Sequence, residues 1–357
     1  MILFGLRDVG SGNACLPTVE ILKDKGIPIS IYAEGPAYQR FKDKFLFIAE
    51  CNTDDLLDFV RPSLVVATSA QIGGTVPINL INKAKQRNLP AVLVEDIWSS
   101  HSASSWDILP DGVCVVDEFA KNLILRSWPG YSESHIHITG MPVFDKFANI
   151  QTESTKHKLR EVLGLCEDWP VVFFPGVGQV WGMTQAISML VEALNNFDAP
   201  MYLIFRAHPK FTLSSASNEC RQIFAEYQEI LKKLRIGIIA DSNKLTSDEV
   251  NAGSDIVVGI NSTMTVEACY LRKPVLIIWT PEISKSFLEA THGTLAEWPL
   301  TNLGASLRAG TIPEIKDCLQ KIINGDTTAM LKAQQKHFQA DGLSGNRIAK
   351  AILRYYK

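Results

Sequence analysis

Two glycine-rich turns stand where an apolar run gives way to a helical pattern. The first, Gly10-Ser11-Gly12-Asn13, follows residues 1–6; the second, Gly176-Val177-Gly178-Gln179-Val180-Trp181-Gly182, follows residues 171–174. Small residues at such a junction let a ligand approach the backbone, and the N–H groups that open a helix attract anions. A tight strand-to-helix turn also needs glycine for its own geometry, so either turn alone carries both readings. The second approximates a dinucleotide-binding fingerprint, with one extra residue before its last glycine. The acidic residue that such a fingerprint wants after the next strand is missing, because that strand ends in Arg206-Ala207-His208-Pro209-Lys210. NAD binding is disfavoured on that ground. Arg206 and Lys210 can instead face a diphosphate, and His208 can donate a hydrogen bond to it. Farther along, Gly259-Ile260-Asn261-Ser262-Thr263-Met264-Thr265-Val266-Glu267-Ala268 follows another apolar run. Ser262 and Thr263 offer hydroxyls and N–H groups at a helix start, and Glu267 falls about one turn later, placed to accept from vicinal ribose hydroxyls. A capped helix with an acid favoured by its dipole is the plainer reading of that stretch alone. Its pairing with the earlier turn, and with Pro274 before the next apolar run, favours a ligand.

The elements that must position these residues alternate. In the first half, strands are expected at 1–6, 27–32, 63–68, 91–95, 112–116 and 136–139, with helices at 16–25, 79–87 and 118–127. The pattern restarts with a polar helix at 152–163. Strands follow at 171–174, 201–205, 236–239, 256–258 and 275–278, and helices at 184–195, 218–233, 247–252, 265–271 and 347–356. Parallel strands need crossover helices, so the alternation predicts doubly wound α/β sheets. The expected division is a Rossmann-like domain over 1–148, a second over 149–343, and a last helix over 344–357 that crosses back to the first.

Composition supports two ordinary globular domains. The chain has 357 residues, 46% hydrophobic and 20% charged, and about 150 residues per domain gives two. Its 35 basic and 38 acidic side chains give a net charge of −3, so no global field favours nucleic acid. The cysteines at 15, 51, 114, 166, 220, 269 and 318 are far apart and form no Cys-x-x-Cys. They read as reduced cytosolic thiols, and no metal or redox motif is visible. No apolar run approaches the length of a membrane span. A cytoplasmic location is expected, with peripheral contact at the inner face of a membrane left open.

Taken together, these motifs resemble the GT-B glycosyltransferase superfamily, two Rossmann-like α/β domains facing across a cleft. The similarity is sharpest over 170–280. Leu93-Val94-Glu95 and the run Thr139-Gly140-Met141-Pro142-Val143-Phe144-Asp145 are similar to hydrolysing UDP-N-acetylglucosamine 2-epimerases. Phe174-Pro175-Gly176 and His208-Pro209 are similar to lipid-A-disaccharide synthase-like and glycerophosphotransferase-like enzymes. The resemblance implies a nucleotide-sugar donor site in the second domain. There Glu267 would bind ribose, Ser262 and Thr263 the diphosphate, with Asn261 in the same segment. Arg206 and His208 would line the pocket, and Gly176, Gly178 and Gln179 would approach the diphosphate or acceptor. Gly10 and Gly12 would play the corresponding part in the first domain.

A transferase of this kind needs a base near the acceptor hydroxyl. Glu95 or Asp96 is the first candidate, then His101 in Ser99-Ser100-His101-Ser102, then Asp8. Asp117-Glu118 reads most simply as a helix cap, and His135-x-His137 as two structural rings on one strand face. The helix at 119–128 reads as core-packing, with contact to a lipid-linked acceptor as the other possibility. No Asp-x-Asp is present, so the expected reaction is metal-independent, with no cofactor, the nucleotide-sugar being a substrate. UDP is the donor nucleotide on family grounds alone. A saccharide or lipid-linked acceptor fits, and no nucleic acid. The Glu-x7-Glu signature is absent, Gly259 standing at its first position, and stereochemistry stays open. A 2-epimerase-like enzyme and a non-catalytic nucleotide-sugar-binding protein are the alternatives.

Overall fold

The computed structural model describes residues 1–48, 51–69, 76–103, 106, 108–150, 152–212, 216–235, 238–239 and 244–357. The chain forms two compact α/β units. One comprises Met1–Ala148, Ala290–Leu295 and Ala340–Lys357; the other comprises Asn149–Glu289 and Ala296–Gln339.

The first unit holds β1 (Ile2–Leu6), β2 (Ile29–Ala33), β3 (Leu64–Thr68), β4 (Ala91–Val94), β5 (Gly112–Val115) and β6 (Ile136–Ile138). They pair in parallel in the order β2-β1-β3-β4-β5-β6. Strands β1, β3, β4 and β5 are buried along their whole length, which explains their near-continuous Val, Ile and Leu. Beyond β2 a single parallel bridge joins Tyr32 to Ile48.

The second unit holds β7 (Val171–Pro175), β8 (Tyr202–Arg206), β9 (Ile238–Ile239), β10 (Ile256–Gly259), β11 (Val275–Ile278) and β12 (Leu307–Ala309). Their order is β12-β11-β10-β7-β8-β9, again all parallel. This is the dinucleotide-fold order, with its reversal point between β7 and β10. Of the strand expected at 236–239, residues 236–237 lie outside the described residues. The short β12 is absent from the expected set, because its three residues, one of them an exposed Arg308, carry little apolar signal.

Two local differences bear on the site. The first helix runs Val9–Asp24, not 16–25, and contains Pro17. Gly10 and Gly12 therefore lie in its opening turns rather than in a loop before it. Glycine and proline suppress a helix signal, but the buried face Cys15, Leu16, Val19 and Leu22 decides for helix by packing. His135 sits in a 3-10 turn, Glu133–His135, and only His137 is in β6, so the two rings do not share a strand. His137 Nε2 meets the Tyr355 hydroxyl at 2.9 Å.

The chain's last helix, Ser344–Ile352, belongs to the first unit. Thr18 Oγ1 donates to the Gly345 carbonyl at 3.4 Å, and Arg347 Nε donates to the Thr139 carbonyl at 2.8 Å. A Cβ on Gly345 would stand 2.9 Å from Ile21 Cδ1, so a larger residue there would push that side chain aside. No described helix is long and apolar enough to cross a membrane.

Candidate active site

In the first unit, β4 ends at Val94 and delivers Glu95 and Asp96 at its carboxyl edge. Glu95 is 3% exposed and His101 is 1% exposed. His101 Nδ1 lies 2.6 Å from Glu95 Oε1, and the His101 backbone N–H donates to the same oxygen at 3.2 Å. A carboxylate there holds the imidazole proton on Nδ1 and leaves a lone pair on Nε2. Among the described residues neither His101 Nε2 nor Glu95 Oε2 has a hydrogen-bond partner. Burying an unpaired polar nitrogen costs stability, so the open Nε2 calls for a partner such as a water or a ligand. Tryptophans wall the pair: Trp128 meets the His101 ring edge-on at 5.4 Å, and Trp106 Nε1 donates to the His101 carbonyl at 2.7 Å. Trp98 Nε1 donates to Asp117 Oδ2 at 2.9 Å, while Asp117 Oδ1 caps the helix Glu118–Ser127 through Ala120 N–H. That helix buries Ala120, Leu123 and Ile124 in the core.

Asp96 faces the other way. It accepts from Ser69 Oγ at 3.0 Å, and Ser69 Oγ lies 2.6 Å from Ser100 Oγ. Its Oδ2 stands 3.1 Å from where a Cβ on Gly10 would be. The opening of the first helix, where an anion was expected, is thus already faced by a protein carboxylate. Asp8 caps the same helix end, with its N–H donating to Ser11 Oγ at 2.9 Å. Gly12 has a packing reason of its own, since a Cβ would overlap the Phe41 ring at 2.2 Å. Burial pushes the Asp96 carboxyl up from 3.8 to about 6; bonds from Ser100 and Ser69 oppose this, and the nearby Glu95 and Asp8 charges add to it. The unfolded chain ionises this group near 3.8, so between the two values the folded state keeps a proton that the unfolded chain has lost. Stability therefore falls as pH rises through that window, by about 3 kcal/mol once above it. Asp96→Asn is expected to restore about that amount at about pH 8 and nothing at about pH 3, which urea melts at the two pH values will read.

In the second unit the carboxyl ends of β7, β8 and β10 bring together the other expected residues. Gly176 N–H donates to the Arg206 carbonyl at 2.8 Å, extending the β7–β8 ladder. Gly178 lies under the His208 ring, 3.4 Å from Cε1 to its would-be Cβ. Lys210 N–H donates to His208 Nδ1 at 3.2 Å, which leaves the proton of the neutral ring on Nε2. Burial, and then the Lys210 charge, lower the His208 pKa, so at neutral pH this ring is an uncharged donor. Gln179 follows, half-buried in the same turn. Gly182 adopts φ +74° at the cap of helix Met183–Asn195, with Ile283 pressed against it. Arg206 turns its guanidinium to Ser247 Oγ at 3.0 Å and to the Leu245 carbonyl at 3.1 Å. These two bonds hold its guanidinium beside residues 245–247.

After β10, Ser262 caps the helix Thr263–Tyr270 through Met264 N–H at 3.3 Å. Thr263 is exposed at its first position, and Glu267 is buried on the following turn. Asn261 Oδ1 is buried with no hydrogen-bond partner among the described residues. Beside them Thr265 Oγ1 bonds the Ser262 carbonyl at 2.6 Å and accepts from Trp298 Nε1 at 3.2 Å. Trp298 and Ser69 were invisible beside the candidate residues, because their places depend on contacts far along the chain; Trp106, five residues from His101, was simply not singled out. Among the described residues no cluster of His, Cys, Asp and Glu could hold a metal ion.

No family model and no curated protein matches the chain. Solved structures do. UDP-GlcNAc 2-epimerase from Neisseria meningitidis, bound to UDP-GlcNAc, superposes with a TM-score of 0.67 at 14% identity, covering 99% of this chain and all of the other. A glycosyltransferase from Rickettsia africae gives 0.60 at 14% identity over 99% and 98%. The wall teichoic acid polymerase TagF, soaked with CDPG, gives 0.57 at 14% identity over 99% and 88%. The fold is of the GT-B type. Within each sheet of this GT-B chain, the candidate residues gather at the carboxyl ends of the two strands that flank the reversal of strand order and of one strand beside them. These are β1, β3 and β4 in the first unit, and β7, β8 and β10 in the second. Open α/β sheets bind ligands at that edge. At 14% identity the likeness extends to the fold, and the chemistry rests on the side chains above.

Proposed function

We propose that the chain is a glycosyltransferase that takes a sugar from a nucleoside diphosphate donor, UDP-sugars first among them, without a metal or resident cofactor. The observation that carries this reading is the buried Glu95–His101 pair with Nε2 left open. An acceptor hydroxyl passes its proton to Nε2 as its oxygen attacks the anomeric carbon, and the bond to the diphosphate breaks. Glu95 stabilises the imidazolium that forms. The diphosphate leaves with the bonding electrons, and the N–H groups opening the helix Thr263–Tyr270 favour that charge. Glu267 accepts from the ribose hydroxyls, Asn261 Oδ1 accepts from a donor hydroxyl or base N–H, and His208 donates from Nε2 to a phosphate oxygen.

A second reading, a hydrolysing 2-epimerase-like enzyme, is favoured by the higher TM-score of the epimerase, 0.67 against 0.60 and 0.57. It releases UDP and an altered sugar with no acceptor added, so product analysis of UDP-GlcNAc incubated with the protein alone separates the two.

Thermal shift with UDP, CDP, GDP, dTDP, NAD and NADP tests the nucleotide site. A ligand at 100 times its dissociation constant stabilises by about 2.7 kcal/mol. A shift with one nucleoside diphosphate supports the donor site. A shift with NAD or NADP alone overturns it. Binding without any turnover assigns the chain to the non-catalytic alternative. Glu267→Ala is expected to weaken the nucleoside diphosphate by about 1–3 kcal/mol. Unchanged affinity in a folded Glu267→Ala protein would remove Glu267 from the site.

A further inference from the structure

We propose that segment 40–47 of the first unit docks on an anionic lipid bilayer. The sequence there, Arg40-Phe41-Lys42-Asp43-Lys44-Phe45-Leu46-Phe47, alternates cations with large apolar groups. Leu46 is 92% exposed, more than any other large hydrophobic side chain among the described residues. Its neighbours hold it outward. Phe45 and Phe47 are half-buried with ring centroids 6.4 Å apart, and Tyr38 meets Phe47 edge-on at 5.9 Å. An aromatic base under a projecting leucine leaves the leucine with nothing to bury against in water, and an acyl boundary supplies that partner.

Charge decides which partner fits. Arg40, Lys42 and Lys44 are all exposed, and none has an ion-pair partner among the described residues. Asp43 is the single acid among the eight residues of the segment. The whole chain carries −3, so this positive field is local and orients the molecule rather than attracting it bodily. Behind the segment lies a groove of about 410 Å³, floored by Leu16, Phe41 and Phe45 and lined also by Lys44 and Lys146, with Glu20 its one acid. Apolar floor and cationic rim match the acyl and phosphate parts of an anionic lipid. Lysines at such a rim can lay their stems along apolar surface and carry their ammonium groups to the headgroup level.

Co-sedimentation of the full chain with vesicles of phosphatidylglycerol mixed into phosphatidylcholine, against phosphatidylcholine alone, tests this. The expected result is binding to the mixed vesicles only, weakened by added salt. Each basic residue near an anionic surface contributes about fivefold, so R40Q/K42Q/K44Q is expected to lose about 100-fold. Leu46→Glu is expected to lose at least about tenfold. Both variants should keep the parent's thermal transition. The equal charge change K232Q/K233Q/R235Q, on the second unit, should leave binding as it was. Four outcomes overturn the proposal: no binding to the mixed vesicles, equal binding to neutral ones, binding indifferent to the two segment variants, or equal loss in the second-unit control. Self-association that Leu46→Glu abolishes, without vesicle binding, would also overturn it and assign the patch to a second copy of the chain.

Discussion

His101→Ala is expected to lower kcat about 10²–10⁴-fold while nucleoside diphosphate affinity stays within error, because it removes the proton acceptor and nothing from the second unit. The geometry behind the expectation is specific. Glu95 Oε1 receives both the Nδ1 proton and the backbone N–H of residue 101, so the ring is held at two points. Glu95 is therefore a positioning residue, and Glu95→Gln separates its role from a merely structural one. An amide in its place can present a donor to Nδ1, which favours the tautomer with its proton on Nε2 and blocks the base. The expected signature is a loss in kcat at unchanged KM. If His101→Ala retains full turnover with the true acceptor, the base lies elsewhere, and Asp96 becomes the first replacement. Its carboxyl, raised to about 6, titrates near neutral pH.

Arg160→Ala is expected to destabilise the second unit by about 3–5 kcal/mol, the usual cost of removing one partner from a buried charge pair. Arg160 is 3% exposed on the helix Thr152–Leu163. Its Nη1 donates to the Cys166 carbonyl at 2.6 Å and the Trp169 carbonyl at 3.2 Å, and its Nη2 donates to Asp255 Oδ2 at 2.8 Å. The same Asp255 oxygen accepts from Val171 N–H at 2.9 Å. One guanidinium thus ties the entry of β7 to the entry of β10, at the amino ends of the two strands whose carboxyl ends carry the candidate donor residues. Alanine leaves two carbonyls and one carboxylate short of donors, with Lys156, 2.8 Å from Asp255 Oδ1, as partial relief. Urea unfolding followed by a probe in the second unit reads the loss. Arg160→Lys should recover only part of it, because an ammonium cannot span the fork. A loss below about 1 kcal/mol in Arg160→Ala would show the network to be replaceable by water.

How much of the site was legible depends on the range of the signal. Glu95, Asp96 and His101 stand within seven residues of one another, at the end of an unbroken apolar run, and the strand-end rule finds them. Their division of labour was not legible. That His101 pairs with Glu95 while Asp96 turns to Ser69 is set by which backbone carbonyls and hydroxyls lie beside each, and Ser69 is 27 residues away. Arg206 ends β8, where the same rule finds it; that its guanidinium reaches the Leu245 carbonyl and Ser247 Oγ, 39 and 41 residues away, was not legible. Gly12 and Gly182 were read for ligand access and are explained by neighbours, Phe41 and Ile283, that no local pattern names.

By itself the sequence determined the features that short-range physics sets. Apolar runs alternating with helical periods made two parallel doubly wound sheets, because crossover helices are how parallel strands connect. Residue types at strand ends identified both candidate edges. The tertiary structure alone decided strand order, with its reversal at β1 and β3 in one unit and at β7 and β10 in the other. It decided that the first helix begins at Val9 despite two glycines and a proline, because burial of one face outweighs local propensity. It also decided which polar atoms find partners and which, like His101 Nε2 and Asn261 Oδ1, have none among the described residues. Partnering is a property of atoms brought together from distant points of the chain, which is why no local pattern could show it.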